Sequence, residues 1–122
     1  MSELFAYRKL VVYQHSRAYV KKVYTLLRKF PVEERFALCD QIRRSVTSVP
    51  SNIAEAMGRM YDRDKLHFLE FAYSSLYESM SQLEISLDLN YITKQEFDEL
   101  ELEVVDISKM LSGLRSSIER RL

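Results

Sequence analysis

Apolar side chains recur along this chain at alternating steps of three and four. Cys39, Ile42, Val46, Val49, Ile53, Ala56 and Met60 form one such run, and Leu66, Leu69, Tyr73, Leu76, Met80, Leu83 and Leu87 a second. Phe97, Leu100, Val104, Ile107, Leu111, Leu114 and Ile118 repeat it, and Val12, Ser16, Tyr19, Val23, Leu26 and Phe30 give a weaker copy. That spacing keeps a side chain on one face of a 3.6-residue helix and is the seam of coiled-coil packing. Four such stripes predict four long helices packed antiparallel, up and down, around one core.

The residues between the stripes predict where the helices stop. Phe30 precedes Pro31 and so avoids the helical region, while Pro31 with Glu33 and Glu34 suits the first turn of the next helix. Gly58 to Asp62 breaks the second helix, with Asp62 expected as the N-cap of the third. Asn90 suits the left-handed residue that closes the third helix. Thr93 and Glu96 have capping-box spacing, and Ile92 with Phe97 is placed as the matching hydrophobic staple.

One position conflicts with its surroundings. Pro50 lies inside IRRSVTSVPSNIAEAMGR, where it removes a backbone donor and clashes with the carbonyl of Val46. The apolar register nevertheless runs 42, 46, 49, 53 straight through it, so both halves face one core. One proline-kinked helix of about 28 residues, about 42 Å long, is the expected form. Thr47, Ser48 and Ser51 supply hydroxyls for backbone groups freed at the bend. Two shorter helices, the second capped by Asn52 and Glu55, are the alternative.

Length and composition narrow the class. A chain of 122 residues predicts one domain, residues 1–122, that buries a core without staples. Two glycines and two prolines leave little material for tight turns, so the fold class is all-α. One cysteine permits no internal disulfide, and no apolar run approaches the roughly 20 residues of a membrane span. A cytoplasmic protein without a membrane partner is the expectation.

Charge is balanced in total and divided along the chain. The 18 Lys and Arg match the 18 Asp and Glu, yet residues 1–59 carry 11 basic and 5 acidic side chains, net +6. Residues 60–122 carry 7 basic and 13 acidic, net −6. Within the basic half, Arg17, Lys21 and Arg28 share a helix face, and Arg43 and Arg44 flank the second stripe. These five are the candidate nucleic-acid contacts, because nucleic acid is held mainly through Lys and Arg on its phosphates. The competing reading is a solvated face that pairs with acidic helices of the same or another subunit.

Apolar residues outside the stripes point to association. Tyr13, Val20, Tyr24 and Leu27 on the first helix, with Phe68 and Phe71 on the third, exceed what one stripe per helix requires. They are the candidate interface of a homo-oligomer, a wider core face being the alternative. Tyrosines also stack bases, although this chain has neither a sheet platform nor glycine-rich loops.

Catalytic chemistry finds no footing. No phosphate-cradling glycine loop is present, and no Glu-x-x-His pair of the di-iron bundle type. Asp64, His67 and Glu70 lie three apart on the third helix, without a partner set on another helix. His15 stands alone, and Cys39 falls on an apolar stripe as a core residue. No metal, cofactor, small-molecule substrate or catalytic residue is expected.

The stretch QIRRSVTSVPSNIAEAMGR, with YRKLVVYQ, KFPVEERFALCDQIRR, FLEFAYSSLYESMSQLE and LNYIT, resembles the four-helix-bundle proteins encoded in intervening sequences of bacterial 23S ribosomal RNA genes. It is also similar to the accessory variability protein of diversity-generating retroelements. The resemblance covers nearly the whole chain. It implies a ring-forming homo-oligomer, a pentamer, without catalysis, and it marks Arg43, Arg44, Pro50, Ser51, Asn52 and Glu55 as signature positions. Ala56 stands where the pattern has glycine and Tyr13 where it often has tryptophan, and neutral charge separates the chain from the basic retroelement type. The function expected is a non-enzymatic scaffold for structured RNA or an RNA-handling protein. The alternative is a protein-only oligomeric adapter that binds no nucleic acid.

Overall fold

A computed structural model describes residues 3–122; Met1 and Ser2 of the predicted domain lie outside the described residues. Four long helices account for most of the chain: α1 (Val11–Leu27), α2 (Leu38–Met57), α3 (Asp62–Asp88) and α4 (Lys94–Glu119). Short 3₁₀ segments precede α1 at Glu3–Lys9 and α2 at Val32–Glu34, and no strand occurs among the described residues. The all-α class stands.

Each helix packs on two others, in the cyclic order α1, α2, α3, α4, with α2 and α3 the most extensively packed pair. Cross-helix contacts fix the directions. Lys22 of α1 and Lys29, just past its end, pair with Glu103 and Glu96 of α4, so the sequence numbers run oppositely. Ser45 and Ser48 of α2 meet Gln82 and Ser75 of α3, and Arg121, just past α4, meets Asp62 at the start of α3. Neighbouring helices are therefore antiparallel.

The stripes predict the core well in α2 and α4. Cys39, Ile42, Val46, Val49, Ile53 and Ala56 are buried, as are Phe97, Leu100, Val104, Ile107, Leu111 and Ile118, with Leu114 half-buried. Met60 drops out, because α2 ends at Met57 and leaves Met60 88% exposed in the turn. In α1 Val12, Ser16, Tyr19 and Val23 are buried as predicted, but the next buried position is Leu27, and Leu26 is half-buried.

Helix α3 departs further. Leu69, Leu76 and Leu83 are buried as predicted, but Ala72, Ser79 and Ser86 occupy the alternate positions instead of Tyr73, Met80 and Leu87, which are half-buried. The small side chains let neighbouring backbones approach, and the large ones close the flanks. Burying serines is tolerable because Ser79 donates to the Leu76 carbonyl at 2.7 Å and Ser86 to the Gln82 carbonyl at 2.9 Å. Among the described residues no buried side-chain polar atom lacks a partner.

The second helix is shorter than expected. It has 20 residues, because the chain after Pro31 forms a 3₁₀ turn and Ala37 leaves the helical region at φ −117°, ψ −101°. That break lets Glu34 serve two groups, accepting from the Leu38 amide at 3.4 Å and from the Tyr91 hydroxyl at 2.8 Å. Helix α2 is continuous through Pro50, so the two-helix alternative falls. Asn52 is no cap; its amide donates to the Ser48 carbonyl and hydroxyl, both at 2.8 Å. Thr47 donates to the carbonyls of Arg43 and Arg44, and the Ser48 hydroxyl meets Ser75. Neither serves the Val46 carbonyl, contrary to the expectation that these hydroxyls compensate for Pro50.

The remaining boundaries follow their chemistry with one exception. Asn90 has φ 62°, and the amides of Asn90 and Tyr91 return to the carbonyls of Leu87 and Ser86, the Schellman pattern. Thr93 and Glu96 form both bonds of the capping box, with Ile92 and Phe97 buried beside it. Asp62 is not the cap of α3. Tyr61 takes that place without a side-chain bond, and the Asp62 carboxylate accepts from Arg121 at 2.9 Å, which holds it below the usual carboxylate range.

Candidate nucleic-acid interface

The cyclic order of helices turns a division along the sequence into one across the molecule. Helix α1 is basic, α2 carries as many acidic as basic side chains, and acidic α3 and α4 are neighbours on the other side. The positive charge is therefore concentrated on α1 and the connection that follows it, opposite a negative α3–α4 side.

Ion pairing sorts the cations of the positive side. Lys22 and Lys29 are neutralised by Glu103 and Glu96 of α4, Arg44 by Asp40 at 3.2 Å, and Arg59 by Glu55 at 2.7 Å. Among the described residues, Arg17, Lys21, Arg28 and Arg43 have no carboxylate within ion-pair distance. Four of the five predicted nucleic-acid contacts thus keep their charge available. Arg44 is exposed and has Asp40 as its carboxylate neighbour one turn back.

Arg43 and Arg44 are adjacent in sequence and diverge in space. Arg44 lines a groove shared with Ser75 and Glu78 of α3. Arg43 lines a cavity of about 420 Å3 at the corner of α1 and α2, together with Tyr24, Arg28, Arg35 and Cys39. Its Nη2 donates to the Arg35 carbonyl at 2.7 Å, which anchors the guanidinium at the corner. Among the described residues Arg35 has no ion-pair partner either. Periodicity missed it, because Arg35 lies in the irregular connection that was expected to be helix.

Arg28 also lines, together with Lys21, a larger groove of about 810 Å3 between α1 and α4, whose lining includes Leu26, Leu100, Glu96 and Glu99. Arg17 stands one turn away, its guanidinium 5.8 Å from the Tyr13 ring centroid. The cations therefore form a band along α1 that ends in the arginine corner.

The predicted interface residues separate by burial. Leu27 is buried in the core, and Tyr13, Val20 and Phe68 are half-buried against it, as in the wider-face alternative. Tyr13 takes the Tyr7 ring edge-on at 4.8 Å, and Phe68 carries the Arg59 guanidinium at 4.2 Å. Only Tyr24 and Phe71 of the six are exposed. Of the signature residues, Pro50 is buried, Ser51 exposed, Asn52 bonded within α2, and Glu55 paired with Arg59.

No group of three His, Cys, Asp or Glu side chains among the described residues is arranged to hold a metal. His67 instead sets its ring against Phe71 at 4.6 Å, apart from the sequence triplet with Asp64 and Glu70. The Cys39 thiol is buried and pushed up from its usual pKa by that burial, which disfavours the thiolate. No helix among the described residues is long and apolar enough to cross a membrane.

Among solved structures, the chain is similar to a protein of unknown function from the S23 ribosomal protein family of Bacteroides thetaiotaomicron VPI-5482. The two share 26% identity over 87% of this chain and 96% of the other, with a TM-score of 0.80. No curated protein matches. The model of one family, described as the 23S rRNA-intervening sequence protein, matches residues 8–113. With that match spanning most of its length, the chain belongs to the 23S rRNA-intervening sequence protein family.

Proposed function

We propose that this protein is a non-enzymatic helical scaffold that binds structured RNA through the α1–α2 side of its bundle. The observation that carries the reading is the pairing pattern. Arg17, Lys21, Arg28, Arg35 and Arg43 lack carboxylate partners while neighbouring Lys22, Lys29 and Arg44 have them. Among the described residues Arg63, Lys65, Lys109 and Arg120 are also without ion pairs, but they lie among the carboxylates of α3 and α4; the five on α1, α2 and their connection are suited to a phosphate backbone, whose neutralisation releases counterions. The family description, which names ribosomal RNA, supports the same class of partner.

A closed homo-oligomer, a pentamer as the family resemblance implies, is the second part of the proposal. It is supported by exposed Phe71 on α3 and by exposed Leu102 and Val105 on α4, apolar surface that a partner copy would cover. A bend at Pro50 would aim the N-terminal half of α2, with its arginines, outward from such a ring. The runner-up is a protein-only adapter, favoured by the opposite charges of α1 and of the α3–α4 side, which would meet between subunits.

Titration with a structured ribosomal RNA fragment at low and physiological salt, on protein whose mass has been read by native mass spectrometry, separates the two. RNA binding that weakens steeply with salt supports the scaffold. An oligomer indifferent to RNA, dissociating as salt rises, supports the adapter.

A further inference from the structure

The corner of α1 and α2 brings an exposed aromatic ring, Tyr24, a buried one, Phe30, and three arginines to the same cavity. Tyr24 is 40% exposed at its rim, Arg28, Arg35 and Arg43 supply the charge, and no carboxylate lines it. Its volume of about 420 Å3 falls in the roughly 300–1,000 Å3 range of small-ligand pockets. Arg43 is half-buried and anchored on the Arg35 carbonyl, so part of the charge is already oriented.

Those two chemistries ask for a ligand that has both. A bare phosphate makes no use of the ring, and a neutral aromatic makes no use of three cations. A nucleotide offers a π-face for Tyr24 and a phosphate for the arginines. A base is free to stack on a side chain only when unstacked from its neighbours, which in RNA means a loop, a bulge or an end.

We infer that this corner seats one unpaired nucleotide, its base on the Tyr24 ring and its phosphate among Arg28, Arg35 and Arg43. As a feature of RNA binding the inference rests on the reading above, to which it adds a preference for single-stranded elements. It also takes Tyr24 away from the predicted oligomer interface and assigns it to ligand.

The test uses the full chain, a labelled oligoadenylate, the same strand in duplex form, and adenosine monophosphate and inorganic phosphate as competitors. Tyr24→Ala should weaken oligoadenylate binding about 10-fold and leave duplex binding unchanged, because stacking acts only on the free base. Tyr24→Phe should bind as the wild type does, and the mononucleotide should compete at lower concentration than phosphate. Tyr24 lies at the surface, and circular dichroism checks that each variant folds.

If Tyr24→Ala binds as well as wild type while Arg28→Gln and Arg43→Gln weaken binding, the nucleotide seat is overturned and the RNA scaffold stands. If structured RNA fails to bind but the mononucleotide binds in a Tyr24-dependent way, the scaffold falls and the seat stands as a free-nucleotide site. Binding of neither overturns both.

Discussion

The Tyr19 hydroxyl lies 2.7 Å from the Ser79 hydroxyl, joining α1 to α3 across the diagonal of the bundle. Both residues are fully buried, and their helices do not pack directly on one another. Ser79 spends its own proton on the Leu76 carbonyl, which leaves Tyr19 as the donor of the cross-core bond. One hydrogen bond thus links two helices that meet only through side chains in the core.

The losses from removing each partner should not add. Ser79→Ala strands a buried phenol and should destabilise by about 1–3 kcal/mol, whereas Tyr19→Phe forfeits the bond for about 1 kcal/mol. The double variant should be more stable than the two losses summed, because neither polar group then remains unpaired. Urea unfolding of the four proteins reads the coupling. Strict additivity would show that the bond contributes nothing.

Alkaline pH should weaken the fold through the same residue. Burial raises the Tyr19 phenol from 10.0 to about 12. Between those values the unfolded chain has lost the proton and the folded chain retains it, so stability is full below pH 10 and falls as pH rises toward 12. The loss amounts to about 2–3 kcal/mol, from two units at 1.36 kcal/mol each. Tyr19→Phe should remove that component of the alkaline limb. An unchanged slope in the variant would show that Tyr19 is not its source.

The start of α4 carries a separable contribution. Thr93→Ala removes a side-chain cap that accepts from Glu96 N at 3.1 Å and should cost about 1 kcal/mol by thermal or urea unfolding. The Glu96 carboxyl is held below its usual pKa first by the Lys29 ammonium and then by the Thr93 amide. A lowered folded pKa adds stability above the unfolded value of about 4.5 that is lost as pH falls through the folded one. Glu96→Gln should therefore flatten part of the acid limb. An acid limb identical to wild type would remove Glu96 from the account.

Pro50 makes a less intuitive prediction. Proline inside a helix costs about 3 kcal/mol relative to alanine, whereas the two methylenes lost from its buried ring are worth about 1.6 kcal/mol. Pro50→Ala should thus fold and gain about 1 kcal/mol, measured by urea unfolding. If the proline bends α2 for assembly, the same variant should lose subunits by native mass spectrometry. Destabilisation by more than about 2 kcal/mol would show that ring packing outweighs helix geometry at this position.

Four helices, their antiparallel order and the cores of α2 and α4 could be read from spacing alone, because large aliphatic residues repeat there without interruption. Helix α3 was misread at Ala72, Ser79 and Ser86, since a serine looks polar until its hydroxyl is seen bonded to its own helix. The repeat of small residues every seven positions was the signal available. The start of α2 was hidden because no residue near Ala37 announces a break; Glu34 finds Tyr91 only in three dimensions. The cationic band was legible as composition, but Arg35 entered it through an irregular connection, and Arg44 left it through Asp40. Ion pairing depends on which carboxylate lies within reach, and linear order does not reveal that.

The central claim is that unpaired cations, and not basic residues in general, hold RNA. The most direct test is the salt dependence of binding to a structured ribosomal RNA fragment by wild type, Arg28→Gln/Arg43→Gln and Arg44→Gln. Each phosphate contact contributes about 0.7–0.9 to the log–log slope. The double variant should bind more weakly with a slope reduced by about 1.5, and Arg44→Gln, whose charge is already matched by Asp40, should track wild type. Equal losses in all the variants, or binding with no salt dependence, would contradict the claim.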